Sequence, residues 1–224
     1  MSDRIHKTKG IVFRATKYRD TSIIVTIFTE RFGLQTYIVN SIRNSSPKSR
    51  IALFQPLTLL DLVVYHRDVD QIFRIKEYRC DFPFQTLMTD MNKSAFVLFL
   101  SEVLNKSVKD QSHPEEIFDF IKDSLILLDQ QSSGYENFHL IFLLKLSRLL
   151  GFGPQHAHEV VTDQSAEHQE ILEKLIHKNF DFRMKISSIE RAGLLKTLLE
   201  FYSQHIDHFG QLKSVPVLHE ILKS

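Results

Sequence analysis

The 224-residue sequence has a single cysteine, Cys80, and no tryptophan. One thiol excludes an internal disulfide and any zinc site built on two or four cysteines. The seven glycines are scattered, and neither Gly-x4-Gly-Lys-Ser/Thr nor Gly-x-Gly-x-x-Gly occurs. The backbone cradles that hold nucleotide phosphates are therefore missing. There is no Gly-x-Ser-x-Gly nucleophile elbow, and Cys80 has no histidine close in sequence, so it reads as a packed thiol. Eleven histidines are present, densest around His156, His158, His168 and His177. They lack His-Glu-x-x-His spacing and are expected to be solvated side chains, with no metal. No run of about 18 apolar residues occurs, which argues against a membrane span. Met1-Ser2-Asp3-Arg4 leads into a strand-like pattern with no signal-peptide core. These absences point to a soluble cytoplasmic protein with no catalytic centre and no cofactor.

What is present divides in two. Residues 1–80 carry fourteen Lys or Arg against seven Asp or Glu, a net +7. Residues 81–224 carry fourteen against twenty, a net −6. Such asymmetry suggests an anion-binding module joined to a part with another task.

The periodicity changes with the charge. Residues 7–14 end in Ile11-Val12-Phe13, and Ser22 to Thr29 is β-branched and long enough for a central strand. Gly33 closes a short connection that suits a hairpin into a strand over Leu34–Asn40. Residues 41–50 are polar, basic and rich in breakers, as in a loop. Two more strands are expected around Leu57–His66 and Gln71–Cys80. Five short strands in about 80 residues suggest a small barrel, of which the OB-fold is the five-stranded type. An SH3-like barrel shares that signature.

From about residue 90 the period becomes helical. Phe96, Phe99, Leu100, Val103 and Leu104 form one stripe within 93–108. Ser112 to Glu115 has capping-box spacing with Pro114 in the first turn, ahead of Ile117, Phe120, Ile121, Leu125 and Leu128. His139 to Leu150 is apolar on nearly every face, as in the middle of a bundle, and Gly151 suits its stop. Further helices are expected around Ile171–Ile176, after Ser187-Ser188-Ile189-Glu190, and after Ser214-Val215-Pro216. The fold class read from this is α+β and multidomain, with an OB-fold barrel over 1–80 followed by an all-α domain over 81–224.

A barrel of this type binds single strands with a positive groove for phosphates and rings for bases. The candidate phosphate contacts are Arg14, Lys17 and Arg19 in the first connection, Arg43, Lys48 and Arg50 in the long loop, and Arg74 and Lys76 on the last strand. Tyr18, Tyr37 and Tyr65 are candidate stacking rings, with a core or interdomain contact as the alternative for Tyr37 and Tyr65.

Several runs resemble RecO proteins. They are Lys7 to Arg14, then Lys17-Tyr18 and Thr21 to Glu30, then Phe32-Gly33-Leu34, and the basic loop leading to Ala52 through Leu57. In the second half they are Asn137 to Leu140, Leu149 to Phe152, Gly210 to Ser214, and Val217-Leu218. The resemblance implies an N-terminal OB-fold, a C-terminal helical domain, and binding and annealing of single-stranded DNA. It implies partnership with RecR, and in some bacteria RecF, to load RecA on strands coated by the single-strand binding protein SSB. It also implies capture of the SSB tail on the helical domain, for which Lys145 and Arg148 are the candidates because they interrupt an apolar helix. Many relatives carry a four-cysteine zinc module, and the corresponding stretch here, about 154–187, has no cysteine.

The expected function is thus a non-enzymatic DNA-repair mediator, nucleoid-associated in the cytoplasm. The alternatives are an RNA-binding OB protein and a helical scaffold whose barrel touches only protein. A nuclease is disfavoured, because no carboxylate cluster with metal spacing is visible.

Overall fold

The computed structural model describes residues 4–40, 51–66, 72–109, 113–161 and 166–223. Five strands come first: β1 (Arg4–Tyr18), β2 (Ser22–Thr29), β3 (Gly33–Val39), β4 (Leu59–His66) and β5 (Phe73–Cys80). They close into a barrel in the order β1-β2-β3-β5-β4. Every ladder is antiparallel except β3–β5. This is the five-stranded OB-type barrel expected from strand count and length.

Alternation along the strands sorts side chains between the two faces. Val12, Val25, Ile27, Tyr37, Leu60, Leu62, Val64 and Phe73 point inward and make the barrel core. Gly10 belongs to the same inward set. A Cβ there would lie 2.6 Å from Ile27 Cγ2 and 2.7 Å from Leu62 Cδ1, so only glycine fits without displacing the core. Tyr37 is wholly buried, its hydroxyl has no hydrogen-bond partner among the described residues, and burial pushes its phenol pKa up.

The outward set is not uniformly wet. Ile11, Phe13, Phe28 and Leu59 face away from the core, yet none is more than 1% exposed. Phe13, the extra residue of a bulge between Val12 and Arg14, stacks on Phe28 at 5.6 Å. Packing groups the chain into two compact units, Met1–Gln85 with Val108–Ile126, and Thr86–Ser107 with Leu127–Ser224. The barrel unit therefore takes in the first turns of a later helix, and Pro114 Cβ lies 3.6 Å from where a Cβ on Gly33 would sit.

Six helices follow among the described residues: α1 (Met91–Ser107), α2 (Pro114–Gln130), α3 (Phe138–Leu149), α4 (Ala166–Ile176), α5 (Ser188–His205) and α6 (Val215–Ile221). A 3₁₀ turn over Ala157–Glu159 precedes α4. As its all-round apolar sequence implies, α3 buries nearly every residue, including Ser147 and His139. Tyr202 of α5 donates its hydroxyl to Leu143 O at 2.6 Å. The capping box at Ser187 and Glu190 forms in both directions, fixing the start of α5. Ser112 lies outside the described residues. None of the helices described is long and apolar enough to cross a membrane.

Polar pins hold the segment that enters the helical unit. The Asp129 carboxylate accepts from Thr86 N at 2.8 Å and Leu87 N at 2.7 Å. The buried Lys93 donates to Asp129 O at 2.8 Å and to Thr86 Oγ1 at 2.5 Å. A buried ammonium is tolerated only with partners of this kind. Farther along α1, Glu102 accepts from Lys213 N, Ser214 N and Ser214 Oγ. One turn on, Lys106 donates to Phe209 O and Gln211 O.

Candidate nucleic-acid interface

The outer wall of the barrel splits by charge. On the side of β1, β4 and β5, cations meet carboxylates. Lys9 donates to both oxygens of Asp81 at 2.9 Å. Arg79, opposite Asp61 in the ladder, binds it with Nε at 2.9 Å and a terminal nitrogen at 2.8 Å. Lys76, one of the candidate contacts, sits 3.9 Å from the carboxylate of its neighbour Glu77. It is the extra residue where the β4–β5 register shifts. This side has little net charge to offer a polyanion.

The remaining wall is different. Arg14 pairs across the sheet with Thr26, which pairs with Thr36. One step along the same face, Thr16, Ile24, Ile38, Arg74, Tyr65 and Ile5 are successive cross-strand partners from β1 round to β1 again. Directly opposed residues share a face, so Arg14 and Arg74 both point outward. Three strand spacings and one same-face step separate them, about 16 Å. Both are exposed, and among the described residues neither is ion-paired. The neighbours between them are hydroxyls and aliphatic side chains, with no acid in these rows.

Two placements differ from expectation. The sequence pattern puts Arg14 and Lys17 in a connection, but β1 runs on to Tyr18 and both lie within it. The extension pairs with β2 as a ribbon whose β1 side is solvated on both faces. Ala15 and Lys17 have the parity of the core, yet both are exposed. Lys17 therefore leaves the sheet on the side opposite to Arg14, at the open end of the barrel. Arg19 occupies the three-residue turn to β2 at φ 53°, with its guanidinium 5.1 Å from the centre of the Tyr18 ring. Arg43, Lys48 and Arg50 lie outside the described residues.

The candidate rings separate cleanly. Tyr37 belongs to the core. Tyr65 is outward and half-buried between Ile5 and Arg74. A group that sequence reasoning missed sits at the Phe32 end of the barrel. His66 stacks on Phe32 at 4.1 Å and on Phe73 at 4.6 Å, and the Arg31 guanidinium lies over the Phe32 ring at 5.5 Å. Residues so distant in sequence meet only through strand register, and no local signal marks them.

In the helical unit, Lys145 donates to Asn179 Oδ1 at 2.7 Å and Arg148 donates to Ile176 O at 2.6 Å. Arg148 thus caps the C-terminal end of α4, where free carbonyls favour a cation. Burial, with the charge of Arg148 close by, lowers the Lys145 pKa, and Asp181 opposes that shift. In the cysteine-free stretch, Glu173 accepts from His156 Nδ1 and Ala157 N, and Glu159 accepts from His156 N. Carboxylate capping ties the 3₁₀ turn to α4 there.

Comparison with known proteins places both halves. Residues 1–84 match the family model for the recombination protein O N terminal, and residues 88–175 match the model for its C terminal. A protein from Flavobacterium johnsoniae named DNA repair protein RecO is 36% identical, over 96% of this chain and 98% of its own length. Its namesake from Bacteroides fragilis is 32% identical over 97% of this chain and 99% of its own length. That of Chlorobium phaeobacteroides is 34% identical over 67% of this chain and 57% of its own length.

Proposed function

The chain belongs to the RecO family of DNA repair proteins, and from that premise we propose that it is a non-enzymatic recombination mediator acting in the cytoplasm at the nucleoid. The barrel, within residues 1–80, binds single-stranded DNA. The helical part, within residues 81–224, binds partner proteins. Phosphates are contacted by Arg14, Lys17, Arg19, Arg43, Lys48, Arg50 and Arg74, and by Lys76 where its weak, exposed pairing with Glu77 at 3.9 Å gives way. Holding one strand while neutralising its phosphates lowers the repulsion that a second strand meets, which favours annealing. With RecR, and with RecF where it is present, the same hold exposes SSB-coated strands to RecA. The SSB tail is met by Lys145 and Arg148. Lys145 has spent one of three N–H donors on Asn179, and Arg148 one of five on Ile176, so each keeps donors for a carboxylate.

The observation that carries this reading is the contrast between the two sides of the barrel wall. Among the described residues, Arg14 and Arg74 stand outward without carboxylate partners, whereas Lys9 and Arg79 are neutralised by Asp81 and Asp61. Cations not already neutralised by acids are the ones available to replace the counterions of a polyanion.

The test is a competition between matched DNA and RNA single strands, together with annealing of complementary oligonucleotides. The proposal expects DNA to be bound at least as tightly as RNA, and annealing to be accelerated without any strand cleavage. Preference for RNA would sink it, because that discrimination requires dedicated 2′-hydroxyl contacts.

A further inference from the structure

Exposed aliphatic side chains cluster where the unpaired wall meets β4. Ile5 is 50% exposed and Ile72, just ahead of β5, is 51% exposed. Tyr65 lies directly opposite Ile5 on one side and Arg74 on the other, and Arg74 in turn lies opposite Ile38. The sequence across the strands is therefore aliphatic, ring, guanidinium, aliphatic. Directly opposed side chains of this kind stand about 5 Å apart at Cβ. An apolar strip around an exposed cation, left open on a polar sheet, marks a contact surface.

Its chemistry selects the occupant. A purely apolar partner would bury the Arg74 charge unpaired, which is costly. A purely ionic partner would leave Tyr65 and Ile5 wet. A nucleotide satisfies both, because its base has a flat π face and its phosphate accepts from a guanidinium. The other rings of the barrel are already engaged. Tyr37 is in the core, Tyr78 packs against it, and the Tyr18 ring lies beside the Arg19 guanidinium. Phe13 and Phe28 are buried on one another, and Phe32, His66 and Phe73 form their own stack.

We infer that Tyr65 is the base-stacking residue of the barrel, flanked by Ile5 on one side, with Arg74 on the other side, between Tyr65 and Ile38, holding the adjoining phosphate. This deepens the single-strand reading proposed above and rests on it. A single ring between an aliphatic side chain and a guanidinium takes one base by its face and reads no edge. Binding is then sensitive to the presence of a base and nearly blind to which base it is.

The experiment compares the full-length protein's affinity for oligo-dT with that for an abasic oligomer of equal length and equal phosphate count. The expected ratio is about tenfold in favour of oligo-dT, the order of one stacked base. Tyr65→Phe keeps the ratio, since the hydroxyl is not used. Tyr65→Leu, which keeps bulk without a π face, brings it close to one. Arg74→Ala weakens both oligomers equally and leaves the ratio alone. Equal wild-type affinity for the two oligomers overturns the inference, as does a Tyr65→Leu variant with the wild-type ratio. Failure to bind either oligomer overturns the single-strand reading itself and this inference with it.

Discussion

Arg74 and Arg79 both project outward from β5, but among the described residues only Arg79 of the two meets a carboxylate, that of Asp61 at 2.8 Å. The difference is a matter of register. Arg79 faces Asp61 across the β4–β5 ladder, whereas Arg74 faces Tyr65 there and Ile38 across β3. One strand thus carries a spent cation and an available one. Arg74→Ala is expected to weaken oligo-dT binding about tenfold at low salt, while Arg79→Ala stays within about twofold. Fluorescence anisotropy on both variants checks the pair.

A buried imidazole makes stability depend on acid. Burial first, then the positive charges of Arg191 and His219, push the His139 pKa from 6.5 down to about 3, and the Glu136 carbonyl opposes this. Between those values the unfolded chain binds a proton that the folded chain refuses. Unfolding therefore takes up protons, and stability falls as pH drops from about 6.5 toward about 3. The slope contributed by this one group is at most about 1.4 kcal/mol per pH unit. Urea midpoints measured across that range should flatten in His139→Phe relative to wild type, with the two converging near neutrality in their pH dependence.

Asp129 holds two backbone N–H groups, that of the buried Leu87 and that of the half-buried Thr86. Asp129→Ala leaves both orphaned and disturbs the contact of Lys93 with the same residue. A loss of about 1–3 kcal/mol is expected from chemical denaturation, the cost of leaving the one fully buried donor, Leu87 N, unsatisfied. An unchanged midpoint would show that the segment at Thr86 is not pinned this way.

Gly10 faces the core across from Leu60, with Ile27 and Leu62 against the place where a Cβ would be. Gly10→Ala is expected to destabilise the protein by about 1–3 kcal/mol, the usual cost of overpacking a filled core. Thermal melting reads it.

Elements with one buried face or none exposed were legible in the sequence. β2 runs over Ser22–Thr29 as its β-branched stretch implies, and α3 is the buried helix that its apolar run foretells. The second half of β1 was not legible. Arg14 to Tyr18 extends as a solvated ribbon, so no burial pattern distinguishes it from a loop. The charge imbalance of the first 80 residues pointed to an anion site. It could not say which cations are free, because Asp61 reaches Arg79 through strand register, and Asp81 reaches Lys9 across 72 residues. The bonds of Lys145 to Asn179 and of Arg148 to Ile176 were hidden for the same reason.

The salt dependence of single-strand binding tests the account most directly. If the unpaired cations of the barrel neutralise about four phosphates, the logarithm of the oligo-dT association constant falls against the logarithm of salt with a slope of roughly −3. A line of that steepness, made shallower by about 0.7 in Arg74→Ala, is the predicted result. An affinity that stays flat from low to moderate salt would mean that these side chains meet no polynucleotide, and would contradict it.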